Sequence, residues 1–420
     1  MRPSWICLPV CASLLAVLTG CGGSSSGTTL TTGGNPQTVA FTFTGGTPTA
    51  AAVQTGTGTF SSATLQSNAL NVSVPSDTTN YSIAYVCPVS NGSTSEFVIQ
   101  ASTKDGSAFS LSCYGQTMGS ISGTADATAI PGAANILIYG GSVYSGSVGS
   151  TDGTFNFNLP SGNVDIAAVA VDSSIPANVL AVKILRSQTI PGALNGGAPV
   201  VFQTSDEVSL QPITVSNVPS GFYNPPFMTV YYFTSNGTIF LLNNNNSPTQ
   251  SPILPAGAVA SGDFYEFISD TIDTATQNSM TSIGQNIAAG NLPSTVALSL
   301  PAVWSPSAPS AAQFPSFTFS YPAFSGATTT AFEAYIGWQT GSTTFTGISV
   351  TSSANFQNGS TTVTIPDLTS IAGFSQAAAS GTPVSWQATV AGGSALPFAI
   401  STLTSGSFES VQNKGTYTEP

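Results

Sequence analysis

From Val39 onward the chain keeps returning to a two-residue apolar rhythm, broken by glycine, proline and asparagine turns. Val39, Phe41 and Phe43 recur at every second position, the period of a half-buried strand. Phe155, Phe157 and Leu159 repeat it, as do Phe317 with Phe319 and the set Phe332, Ala334, Ile336 and Trp338. Lys104-Asp105-Gly106-Ser107, Pro160-Ser161-Gly162 and Ser235-Asn236-Gly237 stand between such runs and carry hairpin or turn chemistry. The pattern predicts an all-β chain. At 420 residues it is too long for one ordinary domain, so tandem β-sandwich domains are expected.

Composition supports packed cores with an unusual surface. Only 5% of residues are charged, far below the typical ~25%, yet 41% are hydrophobic and 24 are Phe. Such a surface is solvated by hydroxyls and amides, and the chain is not of disordered composition. Blocks are expected at 38–118, 119–219 and 220–301. A Pro-Ser-Ala linker follows at 302–315, then a last block at 316–420. The third block, with hairpin strands Met228 to Phe233 and Thr238 to Leu242, is the hardest to separate from its neighbours.

The first residues carry an address. Arg2 gives a positive start, Ile6 to Val17 form an apolar core too short to span a bilayer, and Leu18-Thr19-Gly20-Cys21 follows. This stretch resembles the lipobox of bacterial lipoproteins. The resemblance implies that residues 1–20 are a cleaved signal peptide and that Cys21 becomes a lipidated first residue. Residues 21–37 would then be a flexible Gly/Ser/Thr tether, holding the first domain roughly 20–24 Å from the lipid. The membrane would be reached through that lipid, and Gly22 in place of an Asp favours the outer membrane of a diderm host. Removing Arg2 leaves four cations against 17 acids, a net of −13. That excludes a phosphate-neutralising groove, so no nucleic-acid partner is expected. Of five Cys, Cys7 and Cys11 leave with the signal and Cys21 takes the lipid. Cys87 and Cys113 remain, and an even pair in an exported protein reads as a disulfide. Two strands flanking a third in one sheet lie ~9–10 Å apart, beyond disulfide reach, so a bridge requires facing sheets or converging strand ends. The alternative is two buried thiols.

Asp152 to Gly162 followed by Val164 to Ala170, with Ile136 to Tyr139 upstream, resembles carboxypeptidase-regulatory-like, transthyretin-like sandwich modules. That resemblance implies a spacer or scaffold. The last block, with a Trp on a central strand and Thr364-Ile365-Pro366-Asp367-Leu368, resembles fibronectin type III or immunoglobulin-like sandwiches.

Chemistry is narrowed by the absence of His, which removes Ser-His-Asp and Cys-His catalysis, His-ligated zinc and imidazole acid–base work. Neither a Ser-x-x-Lys motif nor a phosphate-binding glycine fingerprint occurs. Asp263, Glu266, Asp270 and Asp273 are the main acidic concentration. On a helix they line one face; on a strand they split between two. Their functional reading is a calcium (Ca2+) site or a glycosidase pair; the plainer reading is a solvated acidic edge. Tyr223, Tyr231 and Tyr232 head an aromatic group that reads either as core or as a glycan-stacking surface. Apart from calcium, no cofactor is expected. The combined expectation is a lipid-anchored, non-catalytic envelope protein that binds or scaffolds, with a glycan or an envelope protein as partner. A carbohydrate-binding lipoprotein and a carboxylate glycosidase are the rival readings.

Overall fold

The structure is a computed structural model that describes residues 35–88, 93–113, 118–141, 143–245, 249–321, 324, 327–393 and 406–420. Cys21, the signal segment and most of the tether lie outside the described residues.

The first block supplies β1 (Gln37–Thr44), β2 (Ala50–Thr55), β3 (Ser61–Ser62), β4 (Ala69–Val74), β5 (Asn80–Pro88), β6 (Thr94–Ser102) and β7 (Ala108–Ser112). The second supplies β8 (Met118–Asp126), β9 (Asn135–Gly140), β10 (Val143–Ser147), β11 (Asp152–Pro160), β12 (Gly162–Val171), β13 (Val179–Ile190), β14 (Gly192–Ala193), β15 (Val200–Val201) and β16 (Ser209–Ser216). The third holds β17 (Phe227–Phe233), β18 (Ile239–Asn245), β19 (Gln250–Ile253), β20 (Phe264–Ile272), β21 (Ser279–Ala288) and β22 (Val296–Ser299). The last holds β23 (Ser316–Thr318), β24 (Thr329–Gln339), β25 (Phe345–Ser353), the one-turn helix α1 (Ala354–Gln357), β26 (Thr362–Thr364), β27 (Pro383–Gly393) and β28 (Gly406–Thr418).

The all-β expectation holds, and the sandwiches are joined through one sheet. Twelve strands run in the order β18–β17–β20–β21–β28–β27–β24–β25–β6–β5–β2–β3, so the third, last and first blocks share one ladder. The junction between last and first blocks is the parallel pair β25–β6, with Thr346 opposite Thr94 and Ser352 opposite Gln100. Asp105 reinforces it from the side. Its carboxylate accepts from Ser102 N at 2.7 Å, Ser353 Oγ at 2.5 Å and Asn355 Nδ2 at 2.6 Å.

At the β2–β5–β6 end, the sheet β4–β1–β7 covers one face, and Val39, Phe41 and Phe43 of β1 point into the shared core. The Lys104–Ser107 turn is therefore not a hairpin. It carries the chain from β6 in one sheet to β7 in the facing one. This crossing brings Cys87 and Cys113 together as a disulfide with Cα atoms 5.4 Å apart, both residues within the core. The same correction applies at Pro160–Gly162. β11 pairs with β8 and β12 pairs with β9 and β13, so that turn also crosses between facing sheets. Alternating apolar residues and a glycine turn serve a crossing as well as a hairpin, because both strands bury one face in the same core.

β12 is buried on both sides from Asp165 to Val171. Ile166, Ala168 and Ala170 face the core shared with β8 and β11, while Ala167, Val169 and Val171 face a core shared with β17, β20 and β21. The near-continuous apolar run in the sequence is thus that of a central layer, covered on both faces. Ser235-Asn236-Gly237 does form a hairpin, pairing Tyr231 with Leu241 and Phe233 with Ile239.

The expected linker at 302–315 is irregular but packed. Trp304 is 5% exposed and stacks on Phe319 at 5.6 Å, in the core that also holds Trp338 and Trp386. That core lies between the middle of the large sheet and the two-stranded β23–β26, an unequal pair of layers compared with a seven-strand sandwich.

Candidate functional site

β20 organises the acidic cluster, and its two-residue period splits the four carboxylates. Asp263, just before the strand, is 2% exposed and faces the core below the sheet. Glu266 and Asp270 share the opposite face with Tyr231, which lies directly across from Glu266 on β17. Asp273 sits in the turn beyond the strand.

Asp263 is held by five contacts. Arg186 Nη2 donates to it at 2.6 Å and Nη1 at 3.1 Å, the Tyr232 hydroxyl at 2.6 Å, Ser235 N at 2.7 Å and Ala260 N at 2.9 Å. Arg186 also donates to Asp165 at 2.9 Å and to the Ala258 carbonyl at 2.8 Å. The ladder between β12 and β13 shifts register between Val164 and Ile166, and Ser187 takes φ +53° there. This bulge aims the Arg186 side chain at both acids while Ser187 N donates to Asp165 at 2.8 Å. Thr238 Oγ1 donates to the Asp165 carbonyl and accepts from Gly141 N at 3.1 Å. The network therefore fastens β12 and β13 to the β17–β18 hairpin and the loop before β20.

Electrostatics follow from that packing. Burial pushes the Asp263 carboxyl up, but the hydrogen bonds from Arg186, Tyr232, Ala260 and Ser235 outweigh it and leave it below the usual range. Burial, then the bond to Asp263, raises the Tyr232 hydroxyl. The Asp263 oxygens are thus engaged by Arg186, Tyr232, Ser235 and Ala260. Among the described residues no group of three His, Cys, Asp or Glu side chains is gathered around a common point. Tyr232 is fully buried, so its ring does not stack on a glycan.

The other face of β20 behaves oppositely. Glu266 is 7% exposed with no cation beside it; burial, then the charge of Asp270, pushes its carboxyl up to about 7. Asp270 is raised to about 6 by burial, against a hydrogen bond from Ser282 Oγ. Tyr231, half-buried above Glu266, is raised by burial and by both acids. Four residues along a strand set the Glu266 and Asp270 backbones ~13 Å apart.

Asp273 caps its own turn, accepting from Ala275 N at 3.0 Å, Thr276 N at 3.1 Å and the Thr276 hydroxyl. Tyr223 lies beside this turn with its hydroxyl 3.5 Å from Gln277 Nε2 and its ring edge-on to Phe227. Of the expected site residues, the structure thus gathers Glu266, Asp270 and Tyr231, and separately Tyr223 with Asp273. Asp263 and Tyr232 belong to a different network.

Sequence reasoning missed Arg186 and Asp165. The signal was present: Asp165 is the one charge inside an apolar run, and Arg186 is one of very few cations able to answer it.

No family model matches the chain, and no curated protein matches it. A leucine-rich repeat protein from Bacteroides thetaiotaomicron aligns at 13% identity over 41% of this chain and 27% of its own, with a TM-score of 0.17. The chain therefore spans about a quarter of that protein's length. The Bacillus anthracis TIE protein aligns at 13% identity over 56% of this chain and 45% of its own, with a TM-score of 0.15. A Ca2+-stabilized adhesin that helps an Antarctic bacterium reach out and bind ice aligns at 9% identity over 91% and 98%, with a TM-score of 0.14. None of these overlaps is close enough to transfer a fold or a role.

Proposed function

We propose that the chain is a lipid-anchored cell-envelope protein with a non-catalytic structural or binding role at the outer membrane or cell surface. The observation that carries this reading is the continuous twelve-stranded sheet, which links β2 near the N-terminal tether to β28 near the C-terminus. A body joined in this way holds its surfaces at fixed distances from one another, as a scaffold or a display protein needs. A further observation supports it: the Asp263–Arg186 network holds blocks together. The lipobox at Leu18–Cys21 supports anchoring through Cys21, and Gly22 supports the outer membrane.

Proteinase accessibility on intact cells tests the reading, with Cys21→Ser as the processing control. The anchored protein is expected in the membrane fraction, and Cys21→Ser is expected to move it out of that fraction unprocessed. Recovery of the unaltered protein in the soluble fraction would overturn the anchor. Digestion in intact cells assigns the protein to the surface; protection until the outer membrane is opened assigns it to the periplasm.

A further inference from the structure

The parallel junction of β6 with β25 carries a carboxyl at each end, and the two are served differently. Beyond the end of β6, Asp105 accepts from Ser102 N, Ser353 Oγ and Asn355 Nδ2. Near the start of β6, Glu96 stands between Val86 of β5 and Ile348 of β25, which pair with it directly and so share its face. Val86, Val98 and Ile348 lie in the core that holds Trp338 and Trp386, and Glu96 is 1% exposed. Its carboxyl is therefore set into an apolar interior.

One residue answers it. Ser375 donates to Glu96 from its backbone N–H and from its hydroxyl. Ser375 belongs to the connection between β26 and β27, where Leu368, Ile371 and Phe374 pack into the same core. The contact thus ties the first block to the last across 279 residues. No charge faces Glu96 from the elements around it. β5 offers Ala84 and Val86, β25 offers Thr346, Ile348 and Val350, and β6 itself offers Thr94 and Val98. The connection's own acid, Asp367, is exposed and accepts from Thr369. Every Asp, Glu, Lys and Arg after Arg2 lies among the described residues, so the cations are all accounted for. Lys183 and Arg186 pair with acids of the second and third blocks. Lys104 is exposed beyond the far end of β6. Lys414 pairs with Gln387, the neighbour of the inward-pointing Trp386, and so stands on the opposite face. Burial accordingly pushes the Glu96 carboxyl up, against the two bonds from Ser375.

We infer that Glu96 is a proton-operated latch between the first block and the β26–β27 connection. With its proton on, the carboxyl rests uncharged in the core and still accepts from Ser375 N. Once it ionises, the charge requires water that an apolar interior does not supply, and the connection around Ser375 lifts to admit it. Asp105 already has three donors, so the other end of the junction stays fastened. The sign follows from the direction of the shift. The latch is fully closed below the ordinary carboxylate range and is lost as pH rises through the higher folded value. The inference concerns the folded body alone and does not depend on the anchor at Cys21.

Hydrogen–deuterium exchange of the full chain, purified in detergent, tests the latch at about pH 5 and about pH 8, with rates corrected for their intrinsic pH dependence. Exchange over 369–378 is expected to rise about tenfold or more between the two, while 102–106 and 353–357 at the Asp105 end do not follow. Glu96→Gln keeps an acceptor for Ser375 N but has no charge to gain, so its exchange should stay slow at both values. A merely structural role for Glu96 would give fast exchange in Glu96→Gln at both values and would overturn the inference. So would equal exchange at both values in the unaltered protein, the same rise in Glu96→Gln, or a rise shared by the Asp105 end. Should Glu96→Gln fail to fold, Ser375→Ala decides. It removes a hydroxyl bond that favours the charged form, so the pH midpoint of the rise should move upward, and an unmoved midpoint overturns the latch.

Discussion

The two faces of β20 carry the same kind of residue in opposite circumstances. Asp263, below the sheet, meets a guanidinium, a phenol and two backbone N–H groups, and its carboxyl is held low. Glu266, three residues later and above the sheet, is as buried but meets no cation, and its carboxyl is pushed up to about 7. Burial acts on both in the same direction. The partners decide the sign, and the partners follow from strand parity and a single bulge in β13. One face locks blocks together; the other holds acid groups poised to change charge near neutrality.

Removing the lock should produce the largest effect. Asp263→Ala leaves Arg186 facing one acid in a largely buried site, and a loss of roughly 3–5 kcal/mol is expected by thermal or urea unfolding. A loss below about 1 kcal/mol would mean the network behaves like an exposed ion pair. For scale against a distant region, opening the Cys87–Cys113 disulfide, which closes a separation of 26 residues, should cost about 3–4 kcal/mol. The check is unfolding of the double Ser variant; a change confined to the first block's own melting would separate the two regions further.

The opposite face should respond with the opposite sign. Glu266 has a folded value of about 7 against an ordinary 4.5, so the native state holds its proton where the unfolded chain has released it. Its contribution to stability is fully present below about 4.5, is lost as pH rises through that window, and stays lost above about 7. Glu266→Gln should therefore stabilise the protein at pH 8 by about 3 kcal/mol at most and change little at pH 4. A uniform effect at both pH values would refute the charge explanation. The smallest expected change comes from Lys183→Met. It breaks a 3.3 Å pair with Asp206 that is part exposed on both sides, and less than about 1 kcal/mol is expected.

Much of this architecture was legible. Alternation located β1, β11 and β24, and Asn236-Gly237 announced the β17–β18 hairpin. The split of Asp263 from Glu266 and Asp270 also follows from strand parity alone. Strand partners were not legible. Lys104–Ser107 and Pro160–Gly162 carry the same turn residues as Asn236-Gly237, and local chemistry does not distinguish a hairpin from a crossing between sheets. Nor does any short-range signal tell β6 that its neighbour is β25. Arg186 was overlooked because its partners, Asp165 and Asp263, lie 21 and 77 residues away.

The parallel junction of β6 with β25 also bears on how the chain reaches its final state. Ser93 and Phe345, which meet at that junction, are 252 residues apart. A chain emerging N-terminus first completes β5 and β6 long before β25 exists, so one backbone edge of β6 waits unpaired. Until the last block arrives, that edge is open to any other strand, including the same edge of a second nascent chain. The sheet edge at Thr94–Ser102 is thus closed only once residues 345–353 have been made.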